Sequence, residues 1–520
     1  MANRINITLD FDQDVSTYIK GEYPEVKDWR IVSKSLDARN ANKGRKPKVA
    51  LGIELVKEGE TFTPFNESFS PLGPFKTKPI IIGSGPAGLF CALRLADHGV
   101  SSLILERGGP SHERMASIAK FWRQGEFNTE SNVCFGEGGA GLYSDGKLIT
   151  RIKSPHVAYV MKRLVDFGAA PETAYLSNPH LGSNGIRKMI SAITSFLKNK
   201  GSEIRYHSKV EKLLLNNGRV EGVELSNGEK LYSSHVIMAV GHSAKEIYFE
   251  LKKLGVAMKA KDFAVGVRIE HPRSAIDRLQ FGRFAGHELL GAARYRLSFE
   301  DPKTKNGTYT FCMCPGGYVL SSGTDANGIV VNGMSNIGCN SPWTNSALVV
   351  TVKAGEHFKD NLDVLSGHHF QKQIERKAFE FSSERSNGRA LPSIRVTDFL
   401  EGKKPSKKLP NHSSPSGLFS ASLDEILPSF VRGSLHKGLL DFDRKLSGFI
   451  HPDAILIAPE TRTSAPVSIL RDETKLESIS HRGLYPCGEG AGYAGGITSA
   501  AVDGVRVAIS LLEQEKDYFS

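Results

Sequence analysis

The sequence predicts an α/β protein: a doubly wound β–α–β body, preceded by a small α/β domain and split by a long β-rich insertion. Three stretches predict it. Ile80-Ile81-Ile82 runs into a glycine turn, Gly83 to Gly88, then a helical pattern, then Leu103-Ile104-Leu105 ending in Glu106. That order reads strand, turn, helix, strand, acid. From Glu203 to Gly241 three strand-like runs are punctuated by Asn217-Gly218 and Asn227-Gly228, which reads as a meander with hairpin turns. Near the C-terminus the short apolar run after Gly483 meets Cys487-Gly488-Glu489-Gly490, and Gly495-Gly496-Ile497-Thr498 then opens a helix to about Gln514.

In chain order, residues 1–75 read as the small domain. INITLDF alternates like a strand, Asp14–Lys20 reads as a short helix, and Trp29–Ser35 and Val49–Val56 read as strands around a basic hairpin or loop. A ferredoxin-like sandwich is expected. Pro71 and Pro74 mark the linker into the strand Lys78–Ile82. Residues 76–262 carry the first part of the doubly wound body, 263–445 the β-rich substrate or cap domain, and 446–520 the return to the body.

Each residue of the first glycine turn has a physical task. Gly83 permits the tight turn off the strand, and Gly85 lets a pyrophosphate approach the backbone. Pro86 and Ala87 begin the helix, whose N-terminal N–H groups and dipole favour phosphate, and Gly88 lets helix and strand pack closely. Glu106 lies 18 residues after Gly88, where a carboxylate accepts ribose hydroxyls. Arg107 follows directly. An acid rather than an arginine at this position disfavours a 2′-phosphate. The motif therefore predicts an adenine dinucleotide. No second unit of this kind with its acid occurs, so one dinucleotide is expected to be resident and any NAD(P)H only a transient electron donor.

Composition bounds the rest. A chain of 520 residues is too long for one core. No apolar run approaches the roughly 18 residues of a membrane span, and the N-terminus lacks the apolar segment of a secretory signal. The six cysteines, Cys91, Cys134, Cys312, Cys314, Cys339 and Cys487, contain no CxxC pair and no metal-ligand spacing. These observations predict a cytoplasmic protein with reduced thiols. The net charge of +11 is concentrated in RNANKGRKPK (39–48) and KKPSKK (403–408). Such runs read as solvated loops, with nucleic acid as the less favoured alternative in the absence of interleaved aromatics.

Four blocks carry a family resemblance: GSGPAGLFCALRLADHGVSSLILERG (83–108), SNVCFGEGGAGLYSDGKL (131–148), the pair AVGVRIEHP (264–272) and PETRTSAPV (459–467), and PCGEGAGYAGGITSAAVDG (486–504). With them the chain resembles the bacterial FAD-dependent dehydrogenases often labelled NAD(FAD)-utilizing, within the glutathione-reductase-like FAD superfamily. The resemblance implies a Rossmann-like FAD-binding domain and a soluble FAD oxidoreductase. Hydride would pass between flavin N5 and a small organic substrate under the insertion.

It also implies roles. Gly138, Gly139, Ala140 and Gly141 would run along the pyrophosphate and ring, Val210 and Gly241 would contact the cofactor, and Gly488 and Glu489 would take the ribityl chain. Asp is commoner at that last position. Gly495, Gly496, Ile497 and Thr498 would aim a helix N-terminus at the flavin, where its dipole stabilises the charge of the reduced ring.

Among candidate catalytic groups, Lys147 reads as a contact to flavin or anionic substrate, or as a solvated surface lysine. Arg462 reads as a bidentate clamp on a substrate carboxylate, or as a structural salt bridge at the domain junction. His180 and His242 read as proton donors or as hydrogen-bonded structural residues. Cys312 and Cys314 read as a redox disulfide or, in preference, as buried strand thiols, because positions two apart on a strand share a face but lie near the upper limit of disulfide reach. Cys134 has no partner at a disulfide-reductase spacing. The competing functions are a flavoprotein monooxygenase and an FAD-dependent RNA-binding or RNA-modifying protein.

Overall fold

The computed structural model describes residues 3–62, 69, 75–150, 152–358, 363–386 and 388–519. Pro71 and Pro74 lie outside them. At the N-terminus, Asn3–Asp10, Lys48–Val56 and Asp28–Asp37 form an antiparallel sheet in that spatial order. The helix Val15–Glu22 is capped by Asp14, whose carboxylate accepts from the backbone N–H of Thr17 at 2.6 Å. This is the split β–α–β half of a ferredoxin-like arrangement. Its second helix and fourth strand do not appear among the described residues.

The body is a five-stranded, wholly parallel sheet ordered Leu484–Pro486, Val236–Met238, Ile80–Ile82, Leu103–Leu105, Glu203–Arg205. All five strands are short, and the central three are buried throughout, as strands covered on both faces must be. The run read as the first meander strand therefore divides: Glu203–Arg205 joins the parallel sheet, and Val210–Asn216 starts a separate antiparallel meander with Arg219–Leu225 and Lys230–Tyr232.

The helix Pro86–Asp97 packs against the C-terminal helix Ile497–Phe519, which begins two residues later and ends later than expected. Glycine sets both approaches. A Cβ at Gly504 would lie 2.1 Å from the Ala87 carbonyl oxygen, and one at Gly88 would lie 2.0 Å from that of Gly83.

The insertion is a seven-stranded sheet ordered Ser298–Glu300, Gly307–Cys314, Trp343–Val352, Phe263–Pro272, Ile455–Glu460, Leu391–Arg395, Leu418–Ser420. Ile455–Glu460 sits in its interior, so this sheet extends past the boundary expected at 445/446. The strand returns the chain directly to the cleft between the two sheets.

Candidate functional site: a cleft between the parallel sheet and the insertion

A continuous cleft of about 1640 Å³, counted to its open mouth, runs from the C-terminal ends of the parallel strands to the insertion sheet. That is where ligands lie in open α/β sheets. Its near end is built mostly from backbone. Gly83 holds φ at +104°, a conformation that favours glycine, and Gly139 comes close enough to Gly85 that a Cβ on it would lie 3.1 Å from the Gly85 Cα. The two glycine turns thus touch, and both face the cleft. A Cβ at Gly241 or Gly495 would meet no protein atom within 4 Å. These backbone faces are open to a ligand.

Glu106 is buried beside them. One carboxylate oxygen accepts from the Ser84 N–H at 3.0 Å and the Ser84 hydroxyl at 2.7 Å; the other accepts from the N–H groups of Gly108 and Gly136, each at 3.0 Å. The acid thereby ties the first glycine turn to the second. Ribose hydroxyls would share a carboxylate already engaged by four donors.

Behind the second turn, the fully buried Arg114 donates to the carbonyls of Asn132, Val133 and Glu137 at 2.7, 2.7 and 2.8 Å. A guanidinium, with five donors, can satisfy several loop carbonyls at once.

The far end is built from charge. Glu375 projects from the helix Ser366–Ser386 and is 2% exposed. Its carboxylate accepts from Lys245 Nζ at 2.8 Å, from Thr461 Oγ1 at 2.7 Å, and from Arg462 Nε and Nη2 at 2.6 and 2.9 Å. Burial alone would raise the carboxyl's pKa, but the two cations outweigh it and hold the group near 2. Arg462 Nη1 is buried with no hydrogen-bond partner, as is Ser243 Oγ, and both residues line the cleft. Buried donors left unpaired are rare, and they mark this wall as a place where a polar group of a ligand fits.

A second buried guanidinium, Arg268, lies in the insertion sheet. It donates to Glu460 at 3.0 Å and to Asn345 at 2.8 Å. Burial raises the Glu460 carboxyl's pKa, against the pull of Arg268.

Comparison with known proteins agrees with this geometry. Residues 78–129 match the family described as FAD binding domain, and residues 262–463 match that described as FAD-dependent protein, C-terminal domain-like. A Clostridium beijerinckii protein, described only as an uncharacterized protein, is 38% identical over 538 residues, spanning 98% of each chain. The chain belongs to this family of FAD-dependent flavoproteins. Protein FixC of Escherichia coli K12 is 30% identical over 219 residues, 41% of this chain and 48% of that one. Among solved structures, the L-amino acid deaminase of Proteus myxofaciens is 12% identical, with a TM-score of 0.34 over 94% of this chain and 96% of that one. Nothing about activity carries over at that level.

In this flavoprotein most of the expected ligand-binding residues line the cleft: Gly83, Gly85, Pro86 and Ala87; Glu106 and Arg107; Gly139, Ala140 and Gly141; Val210 and Gly241; Glu489; and Gly495, Gly496 and Ile497. Four do not, and each is held in packing. Gly88 lies against Gly83, and a Cβ on Gly138 would lie 2.2 Å from Ile190 Cδ1. A Cβ on Gly488 would lie 2.7 Å from that of Ala87, and the buried Thr498 hydroxyl donates to the Leu148 carbonyl at 2.8 Å. Arg107 lines the cleft but is committed to Glu130 and Glu246, with its guanidinium carbon 4.0 Å from the centre of the Phe135 ring.

Of the candidate catalytic groups, Lys147 and Arg462 reach the cleft and His180 does not. Arg462 cannot clamp a substrate carboxylate bidentately, because Glu375 already occupies its fork; only Nη1 remains. Lys147 Nζ contacts the Met313 carbonyl and lies 3.5 Å from Asp145. His180 sits behind that carboxylate, its Nε2 3.3 Å from Asp145 Oδ1 and its Nδ1 3.7 Å from Cys339 Sγ. His242 lines the cleft, 3.4 Å from Glu489. Glu375, Lys245, Arg268 and Ser243 escaped the sequence reading. No local motif marks them, although Arg268 and Glu460 both fall within the blocks that carry the family resemblance.

Proposed function

We propose that the protein is an FAD oxidoreductase that moves hydride between flavin N5 and a small organic substrate bearing an anionic group. FAD-binding family membership and the cleft lined by both glycine turns support the cofactor. The unpartnered Arg462 Nη1 on the wall of that cleft carries the substrate reading. Bound FAD supplies the two-electron chemistry.

The chain's own residues position. The turn Gly83–Ala87 and the helix N-terminus behind it offer N–H groups to the pyrophosphate, and Glu106 takes the ribose. The second glycine turn, Gly139–Gly141, and the opening of the last helix, Gly495–Ile497, leave room for a flat ring. Arg462 and Lys147 bring positive charge to the far wall. Glu375 holds the Arg462 fork, which leaves Nη1 as its nitrogen without a partner.

Purified protein is expected to show a flavin absorbance spectrum, and Glu106→Gln to carry at least tenfold less flavin affinity at equal folding by circular dichroism. A colourless protein that takes up no added FAD overturns the proposal. Anaerobic mixing with NADH and with NADPH then shows which of them, or neither, bleaches the flavin.

A further inference from the structure

Cys312 and Cys314 occupy a place that a flat strand would not give them. Phe311 pairs with Ala347 and Cys314 with Asn345, so two residues of one strand oppose the single Ser346 of its neighbour. This is a β-bulge. Cys312 sits in it at φ +43°, a left-handed conformation uncommon for a non-glycine residue. Two extended residues would separate the Cα atoms by roughly 6.6 Å, near the limit for a disulfide. The left-handed residue bends the strand at Cys312, so the pair does not lie in a regular extended ladder. The bend also turns Cys312 out to the cleft wall while Cys314 stays fully buried. Both are free thiols here, and the Cys314 thiol donates to the Cys312 carbonyl at 3.5 Å.

Two ion pairs surround them, Arg268 with Glu460 and Lys147 with Asp145. Arg268 Nη1 lies 3.7 Å from Cys314 Sγ, and Nη2 donates to the Cys312 carbonyl at 3.2 Å. The neighbouring Cys314 lowers the Cys312 thiol against the effect of burial, and Arg268 and Lys147 add to it while Asp145 opposes them, bringing it to about 7; burial drives the Cys314 thiol well up. One accessible thiol near neutrality and one buried thiol of higher pKa are the asymmetry that thiol–disulfide exchange uses.

We propose that Cys312 and Cys314 form a redox-active dithiol on the wall of the cleft that exchanges with small-molecule disulfides. The Cys312 thiolate attacks one sulfur of the disulfide; the mixed disulfide forms and one thiolate leaves. Cys314 then gives up its proton and attacks Cys312 Sγ, closing the intramolecular bond and releasing the second thiolate. Two electrons pass from the pair to the small disulfide, and two thiols are released. The flavin takes no part in this exchange, so its failure leaves the proposed FAD chemistry standing.

The test equilibrates the purified full chain with glutathione and glutathione disulfide at a series of ratios, quenches it in acid, alkylates free thiols and maps them by mass spectrometry. The expected product is a peptide linked Cys312 to Cys314, rising with the oxidised fraction. Cys314→Ser is expected to stop at a glutathione adduct on Cys312, and Cys312→Ser to give no adduct on Cys314. In the wild type, alkylation of Cys312 is expected to rise with a midpoint near pH 7. Free thiols at both positions across every ratio overturn the proposal, as does a linkage through Cys339 or Cys134 instead, or a Cys312 midpoint above pH 8. The wild-type measurements decide the matter even where a variant folds poorly.

Discussion

The two ends of the cleft solve the same problem, holding a polar ligand, by opposite means. At the near end the ligand-facing surface is backbone, and one carboxylate, Glu106, ties two glycine turns together through four short hydrogen bonds. At the far end it is side chain, and one carboxylate, Glu375, pairs with two cations brought from elements far apart in sequence. The first arrangement tolerates no added atoms, whereas the second tolerates no lost charge. Their responses to substitution should therefore differ in kind.

The largest effect is expected at the far end. Glu375→Ala leaves Lys245 and Arg462 buried and unpaired, and breaking a buried pair of this sort costs about 3–5 kcal/mol. Urea unfolding should show that loss at pH 7. The pH dependence sharpens it. The Glu375 carboxyl is depressed from its ordinary 4.5 to about 2, so its stabilising contribution is full above about pH 4.5 and is lost as pH falls toward 2. The gap between wild type and variant should close over that interval. A loss below 1 kcal/mol would mean that water or counter-ions reach the cluster, and the contrast between the two ends would weaken.

A smaller loss of stability but a larger loss of cofactor is expected at the near end. A Cβ at Gly83 would lie 2.4 Å from the Ala239 carbonyl oxygen, at a φ of +104° that L side chains rarely adopt. Gly83→Ala should destabilise the fold by about 1–3 kcal/mol, as overpacking does, and lower flavin occupancy by more than Glu375→Ala does. Flavin-to-protein absorbance ratios compare the two variants directly. Equal flavin loss in both would mean that the ends of the cleft are not independent.

This division explains what the sequence could and could not disclose. The strand, glycine turn, helix and acid at 80–106 are contiguous, and every constraint that produces them acts within a few residues, so they were legible as a unit. The split of the stretch 203–216 between two sheets was not: the short strand Glu203–Arg205 and the meander strand Val210–Asn216 have the same local composition, and only the free edge beside Leu103–Leu105 distinguishes them. Arg462 stood out in its motif, but its partner lies 87 residues away, on a helix whose pattern is ordinary. The bulge that exposes Cys312 depends on a neighbouring strand 35 residues on, and a CxC written in one line looks like a regular strand. Local rules expose backbone-built sites, and side-chain clusters assembled across a sheet stay silent until the topology is known.

The smallest effect should come from the group behind the cleft wall. Burial would pull His180 down, but its hydrogen bond to Asp145 and its contact with Cys339 outweigh that and raise it from 6.5 to about 9. A raised folded-state pKa stabilises the fold fully below the unfolded value, about pH 6.5, and that contribution disappears as pH rises through 9. Asp145 keeps Lys147 and Ser335 as further partners, so losing His180 does not strand it. His180→Gln should therefore cost only on the order of 1 kcal/mol at pH 6, a hydrogen bond to a charged group, with the difference from wild type shrinking between pH 6.5 and 9. Thermal unfolding across that range measures it. Because Asp145 and Lys147 line the cleft and His180 does not, flavin occupancy should stay unchanged in the same variant. A His180→Gln protein that loses its flavin would place His180 in the cofactor site itself and redraw the boundary between wall and cleft.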